Sequence, residues 1–428
     1  MLGNIKIGRP FLNVEQLVLF VCLFSSAYVF FKVPFEFYFH YIVLIFLLPL
    51  FALKYGLPRI IFTVFSLPFV VGLIHVLLGN CNSFAFVKVF GGLLATFIFY
   101  NYVLFYYNFN LNKLFSIYIK FCLIICFLGV FQVISFVFGF KYGYDFSWIL
   151  NKWGFVRGGI VGFRVNSILS EPAQLAIIIS PATYVAIRNL VHKQNYLISK
   201  FQSALVVLVS ILTSSSIGFF GVLLCLLINT NSFRFRYILV GFIIFISSFW
   251  LAYNYVGDFK SRFDSAVGLW FNNDFSLKNT NNSSFVLYNN LHIAKENLFN
   301  HPFFGTGLGS HEDAFNKHTL TGKVIQYDFA FNKKDGNSLL IRLSTETGLI
   351  GLALVLFLLI KCFVSRIKDE KLMTKQIISQ AVFILLVLSL IRQGNYMLNG
   401  LPFLFLIYYY NYIDYLKMKN QNLLFSNA

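Results

Sequence analysis

Charge is scarce in this chain, acid above all, with 16 Asp and Glu and 34 Lys and Arg among 428 residues, 12% charged against 58% hydrophobic. A soluble domain carries about twice that charged share, so a water-soluble globular protein is excluded. Cysteine is sparse too, and its placement matters more than its number. Cys22, Cys122, Cys126, Cys225 and Cys362 fall in or beside apolar runs, and only Cys81 falls at a loop expected outside. Neither a disulfide framework nor a CxxC metal site follows. His301, His311 and His318 lack metal-ligand spacing, which argues against zinc. No internal repeat is visible, and no small-residue cleavage site follows the first apolar run, which reads as an anchor helix.

What the chain has is hydrocarbon. Mean hydropathy is +0.73, and apolar runs long enough to cross a core of ~30 Å recur along its length. Spans are expected near 13–32, 36–53, 60–78, 86–107, 115–138, 173–188, 203–213, 214–229, 237–254, 338–360, 376–391 and 400–416. The chain is therefore expected to be an all-α, polytopic integral membrane protein, one domain over 1–428 with about 12 transmembrane helices. The count turns on 203–229, which is either one tilted helix or a hairpin broken at Thr213-Ser214-Ser215-Ser216. As a hairpin it leaves Lys54, Arg59, Lys113, Arg188, Arg234, Arg236, Arg366, Lys371, Lys417 and both termini on the cytoplasmic side. That arrangement obeys the positive-inside rule and is the one adopted. The net charge of +18 is then a topology signal, with no nucleic-acid partner implied.

Two polar islands, 139–172 and the larger 255–337, become extracytoplasmic loops. The larger holds eight basic and eight acidic residues. Within it, Asn272–Ser284 reads as a loop crest, and Tyr288–Phe299 as an amphipathic helix ended by Asn300-His301-Pro302. Gly305-Thr306-Gly307-Leu308-Gly309 lacks the flanking strand and acidic partner of a nucleotide loop. It reads as a tight turn carrying backbone N–H donors.

The residues that carry chemistry lie where the hydrocarbon stops. Arg157, Arg164 and Glu171 precede the sixth span, with Glu171 where the helix starts and Pro172 in its first turn. Glu171 serves either as a helix-dipole partner or as a proton acceptor. The two arginines either snorkel or clamp phosphate oxygens with their planar forks. The second group is Asp335, Asn337 and Ser338 followed by Arg342 and Glu346, four apart on one face of the tenth span. Buried ionisable pairs in spans are costly and face a bundle interior or wet cavity, either as structural glue or as a site. Thr347 and Gly351 permit close helix packing. Lys88 and Lys120 read as snorkelling.

The order of RVNSILSEPAQLA, TSSSIGFFG, HPFFGTGLGS and DGNSLLIRLSTETGLIG among many spans resembles the O-antigen polymerase/ligase superfamily of bacterial inner-membrane proteins. The resemblance implies a GT-C-like fold and a lipid-dependent glycosyltransferase without metal or other cofactor. It implies a glycan donor and acceptor on undecaprenyl diphosphate at the periplasmic face, with a flippase and a chain-length regulator as partners besides membrane lipid. Ligases of the superfamily have a histidine where this chain has Asn337, which favours the polysaccharide polymerase branch. On that reading Glu171, Arg164 and Glu346 are the expected catalytic residues. Arg157, Asn337, Ser338, Arg342 and Asp335 are the expected substrate-binding ones. A ligase acting on a lipid A core or other acceptor, and a lipid-linked oligosaccharide flippase, are the competing expectations.

Overall fold

The computed structural model describes residues 12–33, 35–229, 246–247, 250, 253–255, 257–272, 282–321, 331–365 and 369–426. It is 74% helix and 2% strand, an all-α architecture as the apolar runs require. Among the described residues the helices of eight or more residues are α1 (Val14–Phe24), α2 (Phe39–Tyr55), α3 (Ile60–Leu77), α4 (Ser83–Tyr106), α5 (Leu111–Val137), α6 (Pro172–His192), α7 (Lys200–Leu212), α8 (Ser216–Asn229), α9 (Gly257–Asn272), α10 (Asn282–Asn300), α11 (His311–His318), α12 (Leu339–Lys361), α13 (Glu370–Arg392) and α14 (Leu401–Ser426). Six of these, α3 to α6, α12 and α13, are long and apolar enough to cross a membrane, and α1, α2, α7 and α8 are shorter apolar helices. The expected ninth span, 237–254, falls largely outside the described residues, as does most of the expected loop crest at 272–284.

Burial sorts the helices into an axis and a periphery. Of the apolar window of α6, 83% is buried, against 17% for α3. The axis helix packs against α5, α7, α8 and α13. Residues such as Phe62, Leu67 and Val70 on α3 instead point outward, as lipid-facing side chains do when hydrocarbon is the solvent.

Residues 203–229 form two helices, as expected, separated at Thr213-Ser214-Ser215, with Ser214 at φ 45°. The 13 and 14 residues of α7 and α8 rise only ~20 Å each, short of the ~30 Å core. The segment between α5 and α6 comes to meet the break. Val165 N donates to Leu212 O (3.2 Å), Arg164 Nε to Thr213 O (3.3 Å) and Ile160 N to Ser214 Oγ (3.2 Å). Further along, Ser167 N donates to Gln132 Oε1 (2.6 Å) and Ser167 Oγ to Ile125 O (2.9 Å), midway along α5. Segment 155–171 is therefore a dipping strap rather than a surface loop, with Val165, Ser167 and Leu169 fully buried.

A second device sits in α12. The expected continuous span is broken at Gly348, whose φ of 62° and ψ of −162° lie in a region essentially reserved for glycine. A broken helix leaves backbone groups unpaired, and in an apolar setting each must find a partner. The HPFFGTGLGS turn supplies them. Thr306 N and Gly307 N donate to Thr345 O (3.2 Å) and Glu346 O (2.8 Å), while Leu349 N and Ile350 N donate to Pro302 O (2.8 Å) and Phe303 O (3.1 Å). The approach is close enough that a Cβ on Gly348 would stand 2.5 Å from Gly305 N. The glycine turn is thus the donor-bearing loop the sequence suggested, spent on repairing a helix.

Candidate functional site

Arg342 and Glu346, one turn apart on α12, do pair. Arg342 Nε lies 2.8 Å from Glu346 Oε1, with their side chains 6% and 0% exposed. Further contacts hold both groups. Arg342 Nη1 donates to Gly394 O (2.8 Å), Tyr396 OH donates to Glu346 Oε2 (2.9 Å), and the guanidinium lies 4.3 Å from the Tyr396 ring centroid. Burial holds the Tyr396 phenol well above its usual range, with the Glu346 charge adding to it, so the hydroxyl is a donor at all working pH. The glycine at 394 is needed because a Cβ there would run into the Asp335 backbone. That contact brings the Asp335–Ser338 turn against the α13–α14 connection.

In that turn, Asp335 Oδ1 accepts from Asn332 Nδ2 (3.0 Å) and Asn337 N (3.2 Å). Gly336 and Asn337 have φ of 61° and 60°, a left-handed pair that asparagine tolerates better than most residues. Ser338 caps α12 by accepting from Ile341 N (3.4 Å) and donates to Leu390 O (2.8 Å). Asn337 and Ser338 thus have local structural employment.

Beneath the turn, His311 is fully buried. Its Nε2 lies 3.1 Å from Asn290 Oδ1 and its Nδ1 3.2 Å from Thr345 Oγ1. Burial, then the Arg342 charge, pushes the ring down to about 3. The neutral Nε2–H tautomer donates to Asn290 Oδ1, and the one Thr345 hydroxyl proton goes either to His311 Nδ1 or to Ile341 O (3.0 Å). Among the described residues no group of three His, Cys, Asp or Glu is placed to hold a metal ion.

The pair opens onto a cleft of about 810 Å³ between α2 and α4. One wall is apolar, with Leu44 and Ile45 from α2 and Phe84, Val87, Gly91 and Ala95 from α4. Ile45 and Val87 are 59% and 66% exposed, so this wall continues onto the exposed apolar surface of α2 and α4. The other wall is polar and basic. Lys32, Lys88, Lys152, Lys333, Lys334 and Arg342 face it, against Glu36, Glu312 and Asp335. These six cations stand against the three carboxylates and the Glu346 that pairs Arg342, a net positive charge that draws anions. Lys152 Nζ lies 2.5 Å from Glu36 Oε2 and from Tyr38 OH, and Lys333 lies 3.5 Å from Glu312. Burial works to raise the Glu36 carboxyl, but the hydrogen bonds from Lys152 and Tyr38 and the Lys152 and Lys32 charges together hold it below its usual value.

The expected site residues fall into two groups. Asp335 and Arg342 line the cleft, with Glu346, Asn337 and Ser338 bonded around them. Arg157, Arg164 and Glu171 belong to the dipping strap and do not line the cleft. Arg157 bridges to Phe163, and Glu171 starts α6 without a side-chain capping bond. The 25–38 segment touches the surroundings of both groups. Ser26 Oγ approaches Gln174 Oε1 at 3.5 Å, one turn after Glu171, and Lys152 N donates to Ala27 O (3.0 Å).

Sequence reasoning did not single out Lys32, Glu36, Lys152 or Tyr396, and it read Lys88 as snorkelling. For Lys88 a signal existed. Asn82 caps α4 by accepting from Phe84 N and Ala85 N, which sets Lys88 in the second turn, beside the glycines at 91 and 92. Comparison of the chain with family models finds no match, and comparison with curated proteins finds none either.

Proposed function

We propose that this chain is a metal-independent membrane glycosyltransferase that polymerises undecaprenyl-diphosphate-linked repeat units into O-antigen or a similar surface polysaccharide. It acts at the periplasmic face of the inner membrane, with about 12 spans and both termini cytoplasmic. The observation that carries the reading is the cleft, where an apolar wall continuous with exposed apolar surface meets six cations. That is the chemistry of an apolar chain ending in a diphosphate. The order of the four sequence motifs supports the same class.

In the reaction, an acceptor hydroxyl oxygen attacks the anomeric carbon of the donor glycan and the bond to the diphosphate breaks. The bonding pair leaves with the diphosphate and the hydroxyl proton passes to a base. Negative charge grows on the leaving group, so fixed cations in a partly dehydrated site contribute most. Arg342 is held in place by Glu346, Tyr396 and Gly394, which removes reorganisation at the moment of transfer. Glu346 has both oxygens engaged and no exposure, which suits holding Arg342 better than moving a proton. Asp335, facing the cleft, and Glu171, at the start of α6, are the two candidates for the base.

Deletion of the gene followed by gel analysis of surface polysaccharide tests the reading. Loss of the length ladder with single-repeat product persisting is expected. Loss of all attached glycan with lipid-linked polymer accumulating makes the chain a ligase instead, and an unchanged ladder contradicts both.

A further inference from the structure

The cleft has a third kind of wall that the diphosphate does not use. Val29–Phe31 and Phe37–Tyr38 form a two-stranded antiparallel hairpin, and Phe35, Phe37 and Tyr41 face the cleft from it and from the start of α2. Phe31, which is not a cleft residue, stacks on Phe37 at 4.8 Å between centroids and 9° between planes. One face of Phe37 is therefore covered by Phe31, and the half-buried ring also lines the cleft. Phe35, Tyr41 and Phe30 stand at 59°, 51° and 61° to it. Beside it, in the same cleft, are the Glu36 carboxylate and the Lys152 ammonium, an acceptor and a donor.

A half-buried aromatic ring lining the cleft next to paired donor and acceptor groups matches the two halves of a pyranose, whose C–H face is apolar and whose rim carries hydroxyls. The sugar bonded to the diphosphate has to lie directly beside it, and the hairpin is the aromatic surface that borders the lysines. We propose that Phe37, backed by Phe31, is the platform on which the diphosphate-linked sugar ring rests, with Glu36 and Lys152 reading its hydroxyls. This deepens the glycosyltransferase reading and rests on it.

The test measures binding by the full-length protein in nanodiscs of two lipids, the lipid-linked oligosaccharide purified from the deletion strain and glycan-free undecaprenyl diphosphate. Phe37→Ala and Phe37→Leu are expected to weaken the oligosaccharide-lipid about tenfold and to leave the glycan-free lipid within about twofold. Phe37→Trp, which keeps a ring, retains the wild-type preference. Equal weakening for both lipids, which is what an aromatic resting on the prenyl chain gives, overturns the platform, as does no weakening at all. Wild-type protein that binds neither lipid overturns the glycosyltransferase reading itself, and the platform with it.

Discussion

The cleft and the dipping strap both carry arginine and carboxylate, but they hold them differently. In the cleft, Arg342 and Glu346 are buried and every strong contact is made within the protein. On the strap, Arg157 and Glu171 are exposed, and the strap's fixed points are instead backbone and serine contacts to Leu212, Ser214, Gln132 and Ile125. Fixed charge suits a group that must stabilise a leaving anion without moving. Exposed charge on an anchored strap suits one that meets an incoming acceptor. On this account the cleft holds the donor, and the strap is the place to look for the acceptor's partner.

Breaking the fixed pair has the largest expected effect. Arg342→Ala leaves Glu346 buried and unpaired, which costs about 3–5 kcal/mol, and is expected to cut the folded protein recovered in detergent sharply. The double variant Arg342→Met/Glu346→Leu removes both charges and is expected to restore recovery without restoring the polysaccharide ladder. A ladder from the double variant makes the pair a strut and removes the cleft's claim to catalysis. Next comes the helix break. Gly348→Ala meets a glycine-only backbone and the Gly305 amide, a combined cost of about 3 kcal/mol, read as a fall in thermal stability. An unchanged unfolding temperature contradicts the repair of α12 by the glycine turn.

The pH dependence is smaller for each pH unit and has a definite sign. His311 is neutral in the fold down to about 3 but protonates in the unfolded chain near its ordinary value of about 6.5. The unfolded state binds the extra proton between these values, so stability is complete above about 6.5 and falls by up to about 1.4 kcal/mol per pH unit below it. His311→Gln is expected to flatten that acid slope in thermal unfolding. Glu171→Gln has the least effect on the fold, within about 0.5 kcal/mol for an exposed side chain, and Arg164→Ala, which gives up the bond to Thr213 O, costs about 1 kcal/mol; the value of both lies in activity. Loss of the ladder in Glu171→Gln at normal protein level assigns the base to the strap. Loss in Asp335→Asn alone assigns it to the cleft.

Much of this architecture was legible in the sequence. Most apolar runs form helices, which satisfy the backbone within the segment, but the first expected span, 13–32, is helical only over Val14–Phe24 and is a strand at Val29–Phe31. The break at Thr213-Ser214-Ser215 follows from the placement of the basic loops. The i, i+4 spacing of Arg342 and Glu346 placed them together. Gly348 was less readable. A glycine in a span reads as a helix contact, and only the Pro302–Gly307 turn, 40-odd residues earlier in the roughly linear reading, shows that it is a break. The lysine wall was hidden for a different reason. Lys32, Lys88, Lys152 and Lys334 come from four distant stretches of chain, and each alone looks like an interfacial cation. Their meeting is a property of packing, which no local pattern encodes.

The measurement that bears most directly on the cleft as the donor site is the surface-polysaccharide ladder of a strain carrying Lys88→Ala/Lys334→Ala at normal protein level. Both substitutions remove cleft cations without touching the Arg342–Glu346 pair. The account predicts that the ladder collapses to single-repeat product. A wild-type ladder from that variant contradicts it.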